Sequence, residues 1–328
     1  MLSPAKKQPS GERKNMNKEY LDLVSYDRLR KDLFHLCRDP FSFRCVTYTA
    51  PWHTSNSLDE TDEFIAGEMK KYASCVRMIP YKLRPLRCDS TKPLHHWYSA
   101  PLPDDPFYDG NCIEVLLPGS EYPEEIIQLV SHKDSMSWIN SPGAHDNAVG
   151  TVANMELVRV LSQLPLKRSV RVLFCNEEHS PWYSRPYADE AFKRGDRIIA
   201  VMNQDSLCGK SDEAMAAGLS TFVSVYSTEE GKPLAEFLGK ENEKYEIGLT
   251  FSAVKKQWIS DDDGSFILAG YPRTVMSIGS FPYGDSQYHL PGDVPERVNI
   301  INLGLSAKLI LAAVMDLDEM GEEVFAQA

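Results

Sequence analysis

The spacing of apolar residues along the chain changes character near Cys112. Before that point, residues 20–36 (YLDLVSYDRLRKDLFHL) and 58–74 (LDETDEFIAGEMKKYAS) carry helical periodicity with mixed charge. The stretch from about 77 to 111 reads as strand fragments and turns, SAPLPDDPFYDGN among them. Then come short apolar runs: CIEVLL (112–117), IIQLVSH (126–132), SVRVLFC (169–175) and RIIAVMN (197–203). The last two are β-branched and almost continuously apolar, as strands buried on both faces are. From Ala148 to Leu164 the residues Val149, Val152, Leu157, Val158, Val160 and Leu161 form the stripe of a buried helix, which Pro165 stops. FVSVY (222–226), a helix around 231–240 and TVMSI (274–278) continue the alternation. The pattern predicts an α/β sheet with helices on both sides. Nothing in it is strong enough as a linker to cut the chain, so one domain is expected over 17–328.

Composition narrows the picture. At 328 residues with 42% hydrophobic content the chain can bury a substantial core. A formal net charge of -12 argues against a nucleic-acid partner, whose phosphates call for a basic face. Residues 1–16 are polar and basic with no apolar run behind them, which predicts a disordered tail rather than a secretory signal. The most apolar stretch, Val298 to Met315, is interrupted by Asn299, Asn302, Ser306 and Lys308, so a packed C-terminal helix is expected and no membrane partner. Seven cysteines without a CxxC pair suggest reduced thiols and a cytoplasmic location.

Chemistry gathers at the strand ends, where open α/β sheets bind ligands. One strand runs into His132 and Asp134, the next into Asn176, Glu177 and Glu178, a third into Gln204 and Asp205. Such groups are costly to bury unless a metal or hydrogen bonds compensate them. Asp146 lies in the loop GAHDNA just before a helix; alone it would serve equally as a helix cap. Imidazole mixed with carboxylates suits catalytic zinc. Adjacent Glu177 and Glu178 point in different directions, so one can bind metal while the other acts as a base.

The segments resemble the co-catalytic zinc aminopeptidase superfamily, which includes bacterial leucyl-type aminopeptidases, glutamate carboxypeptidase II and glutaminyl cyclases. The likeness is carried by His132-Lys133-Asp134-Ser135, by Pro142-Gly143-Ala144-His145-Asp146-Asn147-Ala148, by Glu177-Glu178, by Asn203-Gln204-Asp205 and by Tyr288-His289-Leu290-Pro291-Gly292-Asp293. These motifs stand in the family's order within residues 112–315. The resemblance implies a single three-layer domain with a mixed, mostly parallel sheet. It also implies two zinc ions per chain, with Co2+ or Mn2+ as substitutes. Asp146 would bridge the metals, His132 and Asp205 would complete one site, and Glu178 and His289 the other. Glu177 would be the general base for the bridging water, and Asp134 would fix the tautomer of His132. The implied activity is release of N-terminal residues from short peptides or amino-acid amides; homo-oligomerisation stays open.

Several departures bear on the substrate. His145 stands where the family often has an acid, bringing a third imidazole toward the metals; it is either a substrate contact or an ordinary loop histidine. Asp261-Asp262-Asp263-Gly264-Ser265-Phe266 resembles the family's Ser-Asp-His-x-x-Phe without its His. It is read either as a solvated acidic turn or as a lid in which Asp262 meets a substrate amine. Tyr288 is the expected substrate-facing hydroxyl. His95 and His96 are assigned to surface or packing, Cys175 and Cys208 to packing. The competing functions are a glutaminyl cyclase-like acyltransferase with one zinc, another metal-dependent amide hydrolase (carboxypeptidase or deacylase), and a catalytically silent scaffold. Glutaminyl cyclases typically carry Ser where this chain has Asn147, and silent relatives have lost ligands that this chain keeps.

Overall fold

The computed structural model describes residues 17–327; the expected tail over 1–16 lies outside the described residues. The centre of the fold is a mixed sheet of nine strands. In chain order these are β1 (Cys75–Pro85), β4 (Tyr108–Leu117), β5 (Tyr122–His132), β6 (Arg168–Cys175), β7 (His179–Ser180), β8 (Arg197–Gln204), β9 (Thr221–Tyr226), β10 (Thr250–Lys255) and β11 (Thr274–Ile278). Strands β2 (Arg87–Cys88) and β3 (Tyr98–Ser99) form a separate small ribbon. The spatial order is β10-β9-β11-β8-β5-β6-β4-β1-β7. Central strands β11, β8, β5 and β6 run parallel, with β4 antiparallel at one flank and β9 at the other.

Helices cover both faces. On one lie α1 (Tyr26–Leu36), α2 (Ser57–Met69), α3 (Val149–Leu161), α6 (Gly231–Lys244) and α8 (Ile300–Met320); on the other lie α4 (Ser184–Arg194) and α7 (Asp261–Ala269), packed against each other. A further short helix, α5, spans Asp212–Ala216. Strand alternation divides the core between the faces: Val172 and Phe174 join the larger cluster, Leu173 and Cys175 the smaller. Helix α8 starts at Asn299, whose side chain caps the Asn302 amide, and runs to Met320. Its length and apolar content would also suit a membrane span, but 15 of its 21 residues are buried within this fold.

Three expectations are corrected. The region 77–111 is not mainly irregular: β1 pairs with β4 over nine positions, from Cys75↔Leu116 to Leu83↔Tyr108. Its half-exposed position hides the apolar alternation, and Pro80 is tolerated because the strand lies close to the sheet edge. The helix expected over 20–36 breaks, and α1 restarts at Tyr26 behind the capping hydroxyl of Ser25. The acidic segment at 261–266 is no solvated turn. It is the buried start of α7, where Asp262 and Asp263 are inaccessible and Lys256 lies between Asp261 and Asp263.

Register sets up the chemistry. His132 is level with Cys175 across β5 and β6, and Val130 is level with Asn203 across β5 and β8. The residues just beyond these points, Glu177, Glu178 and Asp205, therefore leave the sheet at the same edge as His132.

Candidate metal centre

At that edge two sets of donors converge. His132, Glu177 and Asp205 each offer an atom within 4.8 Å of the others, and so do Asp146, Glu178 and His289. Asp146 spans the two. Its Oδ1 lies 3.1 Å from His132 Nε2 and its Oδ2 lies 3.0 Å from His289 Nε2. Asp205 Oδ1 is 3.6 Å from His132 Nε2, and Glu178 Oε1 is 3.0 Å from His289 Nε2.

Both imidazoles are oriented from behind. His132 donates through Nδ1 to Asp134 Oδ1 at 3.1 Å, and His289 donates through Nδ1 to the carbonyl of His95 at 3.1 Å. Each Nε2 lone pair is thereby aimed into the cluster, the tautomer a metal ligand needs. Asp134 also accepts the backbone amides of Glu177 and Glu178, at 3.0 and 2.9 Å, and His179 Nδ1 at 2.6 Å. One carboxylate thus fixes a candidate ligand histidine and the turn carrying both glutamates.

The Asp146 loop is held from three directions. Asp293 accepts the amides of His145 and Asp146 at 2.8 and 3.1 Å, tying the loop to the segment that carries His289. Asn147 donates to Gln204 O at 2.8 Å and accepts from Ser206 and Gly150 at 3.0 Å, tying it to the Asp205 turn and the start of α3. The Asp146–Asn147 peptide is cis. Buried Arg44 reaches the carbonyls of Lys133, Leu36, Pro142 and Gly143 at 2.6 to 2.9 Å, joining the His132 and Asp146 loops. Gly143 has φ +56, and a Cβ there would lie 2.4 Å from Asp146 O, so the turn requires glycine.

The electrostatics call for added positive charge. Asp134, Asp146, Glu177, Glu178 and Asp205 outnumber the three histidines that face them, His132, His179 and His289. Burial pushes the pKa of Glu177 well up, with the charges of Asp262 and Asp261 adding to it. Burial also raises Glu178, against the pull of His289. Burial would lower His289, but Glu178 and Asp146 outweigh it and bring it up to about 10. His132 is likewise held well above its ordinary value by Asp134, Asp146 and Asp205 against burial. The cluster therefore recruits protons, and a divalent cation on the same donors would replace them. Paired imidazole–carboxylate sets with a shared carboxylate and pre-set tautomers fit zinc.

A family model described as peptidase family M28 matches residues 111–314. The chain belongs to peptidase family M28. It is 27% identical over 221 residues to leucine aminopeptidase 1 of Sclerotinia sclerotiorum, a match covering 63% of this chain and 56% of that one. The M28 chain thus spans about half the length of the curated relatives it matches. Among solved structures, a zinc aminopeptidase from Bacillus subtilis superposes with a TM-score of 0.69 at 16% identity, covering 89% of this chain and 95% of that one. A glutaminyl cyclase from Bacteroides thetaiotaomicron gives 0.68 at 14% identity, with coverages of 89% and 97%. The fold is common to both and does not choose between them.

The remaining sequence-derived residues divide. Tyr288 is half-buried beside the centre, its ring stacked on that of His289 at 3.7 Å. His145 is corrected as a substrate contact: it is fully buried, with Nδ1 2.7 Å from Asp285 Oδ2 and 3.5 Å from Asp293 Oδ1, whose charges raise its pKa to about 9 against burial. Asp262 is corrected likewise. It has no accessible surface, and Cys175 Sγ lies 2.9 Å from its Oδ2. His95 and His96 are assigned above to surface or packing; the segment that carries them meets the centre through the His95 carbonyl and through the ring of Tyr98, 5.6 Å from that of His289. Burial, with Glu178 and Glu177 next, pushes the Tyr98 phenol up to about 12. The roles of Arg44, His179 and Asn147 in holding the loops were not read from the sequence. Of these only Asn147 carried a signal, its place in the Asp-Asn-Ala motif.

Proposed function

We propose that this M28 chain is a zinc-dependent aminopeptidase that binds two zinc ions and releases N-terminal residues from short peptides or amino-acid amides. The observation supporting it most directly is Asp146, one carboxylate facing two histidines on opposite sides. In this reading His132, Asp205 and Asp146 hold one ion, and Glu178, His289 and Asp146 the other. Zinc there supplies Lewis acidity toward a water and toward the scissile carbonyl oxygen.

The chain's own groups do the rest. Glu177 is half-buried, its Oε2 has no hydrogen-bond partner among the described residues, and burial with neighbouring charge raises its affinity for a proton. It takes the proton from the attacking water and returns it to the leaving amine, as a general base tuned toward neutral pH does. Asp134 positions His132 and the Glu177–Glu178 turn without touching substrate. The excess of carboxylates attracts the ammonium of a free N-terminus, and Tyr288 presents its hydroxyl to the substrate from beside His289. The names of the relatives agree with this reading.

Elemental analysis of the purified chain, paired with release of aminoacyl fluorophores before and after chelation, tests it. Two zincs per chain, with activity lost on chelation and restored by zinc, is the expected result. One zinc with cyclisation of N-terminal glutamine and no peptide hydrolysis would replace it with the cyclase. No metal uptake under zinc-replete conditions would leave a scaffold.

A further inference from the structure

A cavity of about 450 Å³ opens beside the metal centre, lined by Leu86, Lys92, Tyr98, Ser180 and Trp182 among others. Two of its wall residues connect it to the centre. Tyr98, which forms part of its wall, also packs edge-on against His289, and Ser180 follows Glu178 by two residues. Leu86, Lys92 and Tyr98, on and beside the ribbon of β2 and β3, lie outside the part of the chain matched by the family model, whereas Ser180 and Trp182 lie within it.

That ribbon is anchored. Arg87 makes two 2.6 Å bonds to Asp105, the Leu86 amide donates to Ser137 Oγ at 2.6 Å, and Trp97 lies against Trp138. Its strands pair Arg87 with Ser99 and Cys88 with Tyr98. The cavity is therefore a built feature of the fold, within the size range of small-ligand sites.

Its charge is distinctive. Among the described residues, the one charged side chain lining the cavity is the ammonium of Lys92. Lys92 Nζ donates to the Tyr98 carbonyl at 2.6 Å and stands 3.7 Å from Asp89, so it is held at the wall with donor capacity to spare. A cation at this wall is complementary to a substrate carboxylate, with which it can form a charge-assisted hydrogen bond.

We propose that this cavity receives the leaving part of the substrate and that Lys92 binds its free C-terminal carboxylate, selecting short unblocked peptides over amides and long chains. The proposal rests on the aminopeptidase reading for its account of turnover, but the carboxylate site can be read without it. Aromatic Tyr98 and Trp182 give the cavity apolar walls for the side chain of the leaving residue.

The test uses the full zinc-loaded chain with Leu-Gly-Gly and its C-terminal amide. The free acid should show a KM about tenfold lower, the effect of one charge-assisted hydrogen bond. In Lys92→Ala that preference should collapse to about one, and Lys92→Arg should restore most of it. Equal KM values in the unmodified chain overturn the proposal. So does an equal rise for both substrates in Lys92→Ala, which would leave Lys92 only the task of holding the Tyr98 carbonyl. Calorimetric binding of Gly-Leu and Gly-Leu-amide to Glu177→Gln gives a reading independent of cleavage. Tighter binding of the acid, lost with Lys92, sustains the subsite even if nothing is hydrolysed, in which case the aminopeptidase reading alone falls. Equal binding of acid and amide removes the subsite.

Discussion

The guanidinium of Arg44 donates through Nη2 to the carbonyl of Gly143 at 2.9 Å, three residues before Asp146. Its Nε donates to the Lys133 carbonyl at 2.7 Å, one residue after His132. Two neighbouring loops, each carrying a candidate ligand, are thus held by one planar fork from a residue distant in sequence.

Removing that fork leaves buried carbonyls without donors, at about 1–3 kcal/mol for each group that finds no water. Arg44→Met should therefore destabilise the chain by about 3–5 kcal/mol, read as a lower denaturant midpoint. Arg44→Lys should fall between, because an ammonium cannot reproduce the fork. A change below about 1 kcal/mol in Arg44→Met would mean the loops hold their geometry without it.

Asp134 accepts from His132, His179 and two backbone amides, and an amide side chain cannot accept from all four. Asp134→Asn should keep the fold and lower zinc affinity roughly 10–100-fold, the usual loss when a ligand's hydrogen-bond partner is removed. Competition against a chromogenic chelator measures it. Unaltered affinity would mean that His132 keeps its orientation by packing alone.

The parts of this molecule that were legible in the sequence are those whose physics is local. Runs such as SVRVLFC and RIIAVMN declare buried parallel strands by their continuous apolar character, and the residues ending them had to share one edge. That reasoning brings His132, Glu177, Glu178 and Asp205 together, and the family motifs add Asp146 and His289. What stayed hidden depends on long-range contact. Strand β1 alternates weakly because it is half-exposed, and nothing near Arg44 marks it as a clamp for loops about 90 residues away. His145 and Asp262 looked like site residues because they lie beside motif positions. Their partners, Asp285 for one and Cys175 for the other, turn them into the interior. Tyr98 and His95 reach the centre on a ribbon whose docking no local pattern encodes.

Five carboxylates against three histidines make the centre a place where cation binding and folding are coupled. At a free zinc concentration about 100 times the Kd, the native state should gain about 2.7 kcal/mol. Chelation should therefore lower Tm, and zinc should restore it. In Asp146→Asn, which weakens both donor sets, most of this zinc-dependent shift should vanish. A shift that persists in the variant would place the responsible ion elsewhere.

Far from the centre, burial raises Glu241 on α6 to about 7, with Lys244 only partly offsetting it. The native state therefore holds a proton that the unfolded chain, with an ordinary carboxyl near 4.5, has released. The stability this lends is present below about pH 4.5 and is lost as pH rises to about 7. Glu241→Gln, which cannot ionise, should be more stable than the unmodified chain at pH 8, by on the order of 1–3 kcal/mol, and nearly equal to it at pH 4.5. Thermal melts at both pH values decide this, and a pH-independent difference would assign the effect to packing.

Glu177 separates the two chemical roles open to a carboxylate at this centre. It lies within 4.8 Å of His132 and Asp205, close enough to be a ligand, yet its buried Oε2 has no hydrogen-bond partner among the described residues and its proton affinity is raised by burial and by Asp262. A ligand must be ionised to bind the cation, whereas a base must gain and lose a proton during turnover. Glu177→Gln keeps the shape and removes the titration. If Glu177 is the base, the variant should retain its full zinc content by elemental analysis and lose about 10²–10⁴-fold in kcat, with KM little changed. If it is a ligand, zinc content and rate should fall together, and excess zinc should recover part of the rate. Measuring metal content and rate on the same preparation tells the two apart.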